Sequence, residues 1–176
     1  MSDGILQTFD VDDLECVVTD ADKLIMAETI LAWADLDTGI SRLTLLLLGL
    51  HADAGSILIG NMDLKTKVER IKSLYEQYGN AAAKDSFTKL IKSMKDFSSS
   101  RNAIAHRKCI GRLISQPTRV VFLSSKHVKG QRDRVEMMCV DHSEMIASAD
   151  FARKAAASVH RKIDAFEDRR NNSHVS

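Results

Sequence analysis

The longest regular pattern in the chain is an apolar stripe between residues 20 and 48. In DADKLIMAETILAWADLDTGISRLTLLLL, Met26, Ile30, Trp33, Ile40 and Leu47 recur at spacings of three, four and seven, which predicts a helix burying one side. Asp20 or Asp22 can cap its first turn, and Gly49 or the HADAG stretch ends it. Asp37 and Thr44 fall on the same stripe, where a carboxylate must find a partner or face a cleft. A second helix is expected over LKTKVERIKSLYEQY, with Asp63 as N-cap and Gly79 just past its end. Leu64, Val68, Ile71, Leu74 and Tyr75 form its buried side, and Lys65, Lys72 and Glu76 its solvated one. A third helix starts near Asn80, turns Phe87, Leu90, Ile91, Met94 and Phe97 inward, and continues through SSSRNAIAH although three consecutive serines weaken it.

The pattern then changes. Residues 119–123 (RVVFL) and 134–140 (RVEMMCV) read as strands of a hairpin turning at Gly130. D-H-S-E at 141–144 is a capping box that opens a final helix running to about Asp168, with room for a break near Ser148. Residues 1–19 form an acidic lead-in with at most a short strand or turn, and 169–176 a frayed tail. The expected fold is mainly all-α: one domain over 20–168, an antiparallel helical bundle with a β-hairpin inserted before the last helix.

Composition narrows the function classes. Only 5% of residues are aromatic, with one Pro and 8 Gly, which favours long helices over a many-stranded sandwich. Cys16, Cys109 and Cys139 show no metal-ligand spacing, and their odd number suits a reducing compartment. The apolar stretch 40–62 is interrupted by Arg42, His51 and Asp53, so a core helix with a loop is expected there rather than a membrane span. The acidic N-terminus lacks a basic n-region, so no secretory signal is expected and the expected location is cytoplasmic. The net charge of +1 conceals a division: residues 1–63 hold 12 acidic against 2 basic side chains, and 64–134 hold 17 basic against 5 acidic. A basic middle third points to an anionic partner, phosphate above all, or to internal compensation by the acidic third.

Residues 101–106 read RNAIAH, with Arg101, a polar Asn102 and His106 closing the third helix. This resembles the signature of the HEPN superfamily, in which Arg is followed by a polar residue and His comes four to six positions after Arg. The helical outline of residues 20–168 is similar to HEPN domains too, and Asp37, in W-A-D-L-D, resembles the acidic position on their first helix. Many HEPN domains are metal-independent ribonucleases acting as toxins or defence effectors; others have lost activity. The resemblance implies RNA cleavage by Arg101, Asn102 and His106 with support from Asp37, products ending in a 2′,3′-cyclic phosphate and a 5′-hydroxyl, and no cofactor. It also implies a homodimer whose cleft lies between two copies, and a cognate antitoxin or regulatory protein as a possible partner.

Helix geometry adds an independent argument. Phe87, Leu90, Met94, Phe97 and Ile104 fill one arc and Arg101 sits within it, where a guanidinium needs a partner, a cleft or an interface. Arg101 could pair with Asp37 for structure alone. Five residues separate Arg101 from His106, about 140° on a regular helix, so either the helix loosens near Ala105 or the cluster joins two subunits. A His can move protons at neutral pH, and an Arg can hold a phosphate bidentately. Lys92, Lys95, Arg107, Lys108 and Arg112 would grip backbone phosphates, or form an ordinary solvated face. His51 with Asp53 and His142 with Glu144 belong to no larger ligand pattern, so no metal site is expected. No phosphate loop, nucleophile elbow or dinucleotide fingerprint is present. The alternative expectation is a catalytically silent HEPN-like module that binds RNA or a protein.

Overall fold

The computed structural model describes residues 11–128 and 131–172. A 3-10 turn (Val11–Asp13) and β1 (Leu14–Glu15) precede α1 (Asp20–Leu48), α2 (Ala52–Ile59), α3 (Leu64–Gln77) and α4 (Ala81–His106). Then come β2 (Lys108–Leu113), β3 (Arg119–Val128), β4 (Gln131–Asp141) and α5 (His142–Asn172). The chain is mainly α-helical and carries its hairpin before the last helix, as the residue pattern predicts. Among the described residues no single helix is long and apolar enough to cross a membrane. The backbone divides into two compact units: the chain up to Leu31 with Phe97–Asp150, and Ala32–Asp96 with the chain from Phe151.

The first unit is organised by an antiparallel sheet in the order β1-β2-β3-β4. Val120, Phe122 and Val140 from the sheet, Ala103 from α4 and Met145 from α5 form a buried cluster, with Ile25 and Met26 of α1 packed against it. Burial of these side chains is the largest stabilising contribution available to the unit. Three features depart from the expected pattern. The N-cap of α1 is Thr19 rather than Asp20 or Asp22: Thr19 Oγ1 accepts from Asp22 N (3.2 Å), while Asp22 Oδ2 accepts from Thr19 N (2.7 Å). Two strands, β1 and β2, join the expected hairpin: the lead-in supplies the short strand it allowed for, and Lys108–Leu113 forms a strand that the residue pattern does not predict. Phe97, expected inside, is 37% exposed.

β1 can approach β2 closely because of one glycine. Gly111 has φ +149°, and a Cβ there would collide with the Glu15 carbonyl oxygen. It sits at a register shift between Cys109 and Gly111, where the ladder bulges. Gly111→Ala should lower unfolding stability by about 2 kcal/mol. Urea denaturation beside wild type checks this; an unchanged midpoint would show that the crossing tolerates a side chain.

At the start of α5 the capping box forms as expected. Asp141 Oδ1 accepts from Ser143 N (2.8 Å), and Glu144 Oε2 accepts from Asp141 N (3.1 Å). Hydrogen bonding from Ser143 holds the Asp141 carboxyl below its ordinary range. α5 runs to Asn172 without the break allowed near Ser148, so residues 169–172, expected in a frayed tail, are helical. Ser148 is buried, and its hydroxyl donates to the Phe97 carbonyl (2.7 Å). That bond ties α5 to α4 within the first unit. The Gly130 turn lies outside the described residues.

The second unit buries Trp33, Leu36, Ile40 and Leu43 of α1 with Val68 and Ile71 of α3, Phe87 of α4 and Ile163 of α5. Trp33 packs on Phe151 at 5.8 Å and Tyr75 stacks on Phe87 at 5.6 Å between ring centroids. α3 begins at its Asp63 cap, whose carboxylate accepts from Thr66 N (2.8 Å), and Gly79 beyond its end has φ 69°. α2 is an addition to the expected elements, in residues read as the end of α1 and a loop.

Candidate active site

α4 holds regular helix through His106, so Arg101 and His106 do start about 140° apart around the helix axis. The long side chain of Arg101 closes that gap. Its Nη1 donates to Asn102 Oδ1 (3.1 Å) and stands 3.4 Å from His106 Nε2. No loosening at Ala105 and no second chain is needed to bring the three together. Arg101 is half-buried, and Asn102 and His106 are exposed. A guanidinium can only donate, so this contact is a hydrogen bond in the ring tautomer whose Nε2 accepts. A guanidinium turned onto a phosphate would free that Nε2 lone pair to take a proton from a neighbouring hydroxyl.

The other candidates divide between the two units. Arg107, Lys108 and Arg112 belong to the first, with the cluster; Asp37, Lys92 and Lys95 belong to the second. Lys92, Lys95 and Lys108 are exposed, whereas Arg107 is half-buried. Arg112 does not present a free guanidinium: its Nε donates to Glu15 Oε2 at 2.6 Å, across the register pair Glu15–Arg112 of β1 and β2. Here the acidic lead-in compensates the basic segment internally.

Asp37 has its partner as well. Lys67, with a side chain only 6% exposed, donates to Asp37 Oδ1 at 2.8 Å. The acid on the α1 stripe thus balances a buried ammonium.

One polar cluster in the first unit escapes sequence reasoning. Asp22 is 1% exposed, and besides its bonds with Thr19 it lies 2.7 Å from His142 Nε2. Burial alone would push its carboxyl up, but hydrogen bonds from Thr19 and His142 outweigh that and hold it below the ordinary carboxylate range. The partners are 120 residues apart, and only the T-x-x-D spacing at Thr19 hints at the cluster. Burial raises the thiols of Cys109 and Cys139, so neither carries the thiolate character a nucleophile needs.

Set against protein-family models, curated proteins and solved structures, the chain matches none. The functional reading therefore stands on the residues and their geometry.

Proposed function

We propose that the protein is a HEPN-type endoribonuclease whose catalytic group is Arg101, Asn102 and His106. The observation that carries this reading is the approach of Arg101 to His106 within one helix end, with Asn102 on the same guanidinium. In the proposed reaction Arg101 holds the scissile phosphate through paired N–H groups, and His106 Nε2 takes the proton from the 2′-hydroxyl. The 2′ oxygen attacks phosphorus, the P–O5′ bond breaks, and the 5′ oxygen leaves with a proton. Arg101 stabilises the charge that accumulates on the non-bridging oxygens, and Asn102 orients the guanidinium. RNA is the substrate class because only a 2′-hydroxyl supplies an internal nucleophile. Incubating the purified protein with total RNA and with tRNA, with and without EDTA, tests the proposal: cleavage in both arms supports it, and intact RNA in both contradicts it.

The proposal includes a homodimer. A proton donor for the leaving oxygen is supplied most simply by His106 of a second copy. The first unit exposes apolar side chains suited to such a contact: Leu24 and Leu31, seven residues apart on one face of α1, and Phe97 of α4. Light scattering at micromolar concentration should give twice the 19.6 kDa chain mass, and specific activity should fall on dilution. A 19.6 kDa particle with unchanged specific activity would remove the dimer from the account.

A further inference from the structure

The two edges of the sheet are finished differently. β1 is only two residues long, whereas β4 pairs with β3 on one side and, among the described residues, with no strand on the other. From Arg119–Asp141 to Leu123–Met137 the β3–β4 register runs through five consecutive pairs without a shift. Two bonds at the end of β4 fix which way each of its peptide groups points. His142 N donates to the Thr118 carbonyl, which makes 118–142 a hydrogen-bonded pair, while Asp141 N turns away from β3 and donates to Glu144 Oε2. Alternation along an antiparallel ladder then directs Val140 and Met138 to β3 and turns the N–H and C=O of Cys139 and Met137 outward. No described residue bonds to those outward groups. Edge strands are normally blunted by Lys, Pro or a bulge, and the run Met137, Met138, Cys139, Val140 has none of these. The first three of its side chains are half-buried.

We propose that this edge receives an extended peptide of a partner protein as an added strand, antiparallel to β4, with a Lys or Arg opposite Cys139 and apolar residues opposite Met138 and Met137. The inference is independent of the RNA reading of the Arg101–His106 cluster. Outward backbone donors and acceptors in alternation match another backbone, and pockets beside such an edge select its side chains. One pocket is present: a cavity of about 270 Å³ lined by Arg119, Cys139, Asp141, Ser143 and Glu144. Arg119, Cys139 and Asp141 stand on the sheet face opposite Val120 and Val140 of the core cluster, so a side chain opposite Cys139 in an added strand emerges on the cavity's face. Charge selects the cation. The carboxylates of Asp141 and Glu144 outnumber the Arg119 guanidinium in the lining, and Asp13 adds a third: burial raises the Cys139 thiol, Arg119 opposes this, and Asp13 raises it further. A second copy of β4 fits less well. The register that satisfies all the outward groups centres on Met138 and sets Met137 of the other copy opposite Cys139, bringing no cation to the acids.

The test is fluorescence anisotropy of a fluorescein-labelled peptide, Ser-Thr-Arg-Val-Val-Thr-Ser, titrated with the full chain. Binding should saturate, and Glu in place of the peptide's Arg should weaken it about tenfold. N-methylation of the Arg and the second Val, the residues facing Cys139 and Met137, should weaken binding at least about tenfold. N-methylation of the first Val, whose N–H points away from β4, should change it by less than about twofold. In the protein, Cys139→Pro deletes an outward N–H without removing a bond to β3 and should weaken binding of the Arg peptide. Glu144→Gln keeps an acceptor for Asp141 N and should lower the preference for Arg over Glu about threefold. Circular dichroism shows whether the Pro variant is folded; where it is not, the methylated peptides decide the question on the wild-type chain. Absence of saturable binding overturns the proposal, as does equal binding of peptides methylated at facing and non-facing positions. Self-association that Cys139→Pro abolishes, with no peptide bound, assigns the edge to a second copy and overturns it as well.

Discussion

RNA cleavage by the His106→Ala protein is expected to fall about 10²–10⁴-fold, the range attributable to a positioned general base. Arg101→Ala should lose a comparable factor, since it removes both the phosphate clamp and the group that meets His106 Nε2 at 3.4 Å. The fold should survive both changes: His106 is exposed, and the α4 contacts to the sheet cluster run through Ala103 and Ile104. Arg101→Lys separates charge from geometry. An ammonium keeps the charge but not the fork, so it should restore RNA binding more than it restores turnover. Asn102→Ala should show the smallest loss, because its carbonyl orients a guanidinium that can find phosphate by itself. Single-turnover rates in EDTA, with the circular dichroism of each variant, check the series. Full activity in His106→Ala would contradict the assignment.

The largest expected stability effect belongs to Asp22, which has no part in the proposed chemistry. Asp22→Ala leaves His142, the Thr19 hydroxyl and the Thr19 amide without their acceptor in a buried place, and should lower stability by about 3 kcal/mol. For a chain of this length that corresponds to a drop of roughly 6–12 °C in Tm. The pH dependence has a definite sign. The folded carboxyl lies below the unfolded value of about 3.9, so its stabilisation is complete above that pH and is lost as pH falls through the folded value. Stability curves of wild type and Asp22→Asn should therefore keep a constant separation above about pH 5 and converge in acid. A double-mutant cycle with His142→Gln isolates the pair, and a coupling near zero would show that the 2.7 Å contact contributes only packing.

The sequence was informative where structure is local. The periods of α1, α3 and α4, the Asp63 and Asp141 caps and the Gly79 stop are set by neighbours a few residues apart, and each of these elements lies where the pattern predicts it. Burial within α1 was less legible. A helix ending LTLLLL fits several stripes equally well, and Leu36 and Leu43, absent from the expected stripe, are fully buried. β2 was missed because KCIGRL carries two cations and a glycine, and β1 was allowed for only as a short strand or turn because Leu14–Glu15 is too short to show alternation; a partner strand, not propensity, makes them strands. Long-range polar pairs were beyond reach for the same reason. Glu15–Arg112, Asp37–Lys67 and Asp22–His142 each join residues 30 or more apart, and the first engages Arg112, which its charge had suggested as a phosphate contact. Within the candidate site the motif was visible in the letters. What geometry added is the reach of Arg101 to a histidine five positions away.

The central claim is a 2′-hydroxyl attack assisted by Arg101 and His106, and its products carry the signature. The most direct measurement is end-group analysis of a labelled RNA cleaved by the wild-type protein in EDTA. The account predicts 2′,3′-cyclic phosphate and 5′-hydroxyl ends, absent from the His106→Ala reaction and from a substrate whose 2′-hydroxyls are replaced by hydrogen. Products with 3′-hydroxyl and 5′-phosphate ends, or cleavage of the 2′-deoxy substrate, would contradict it.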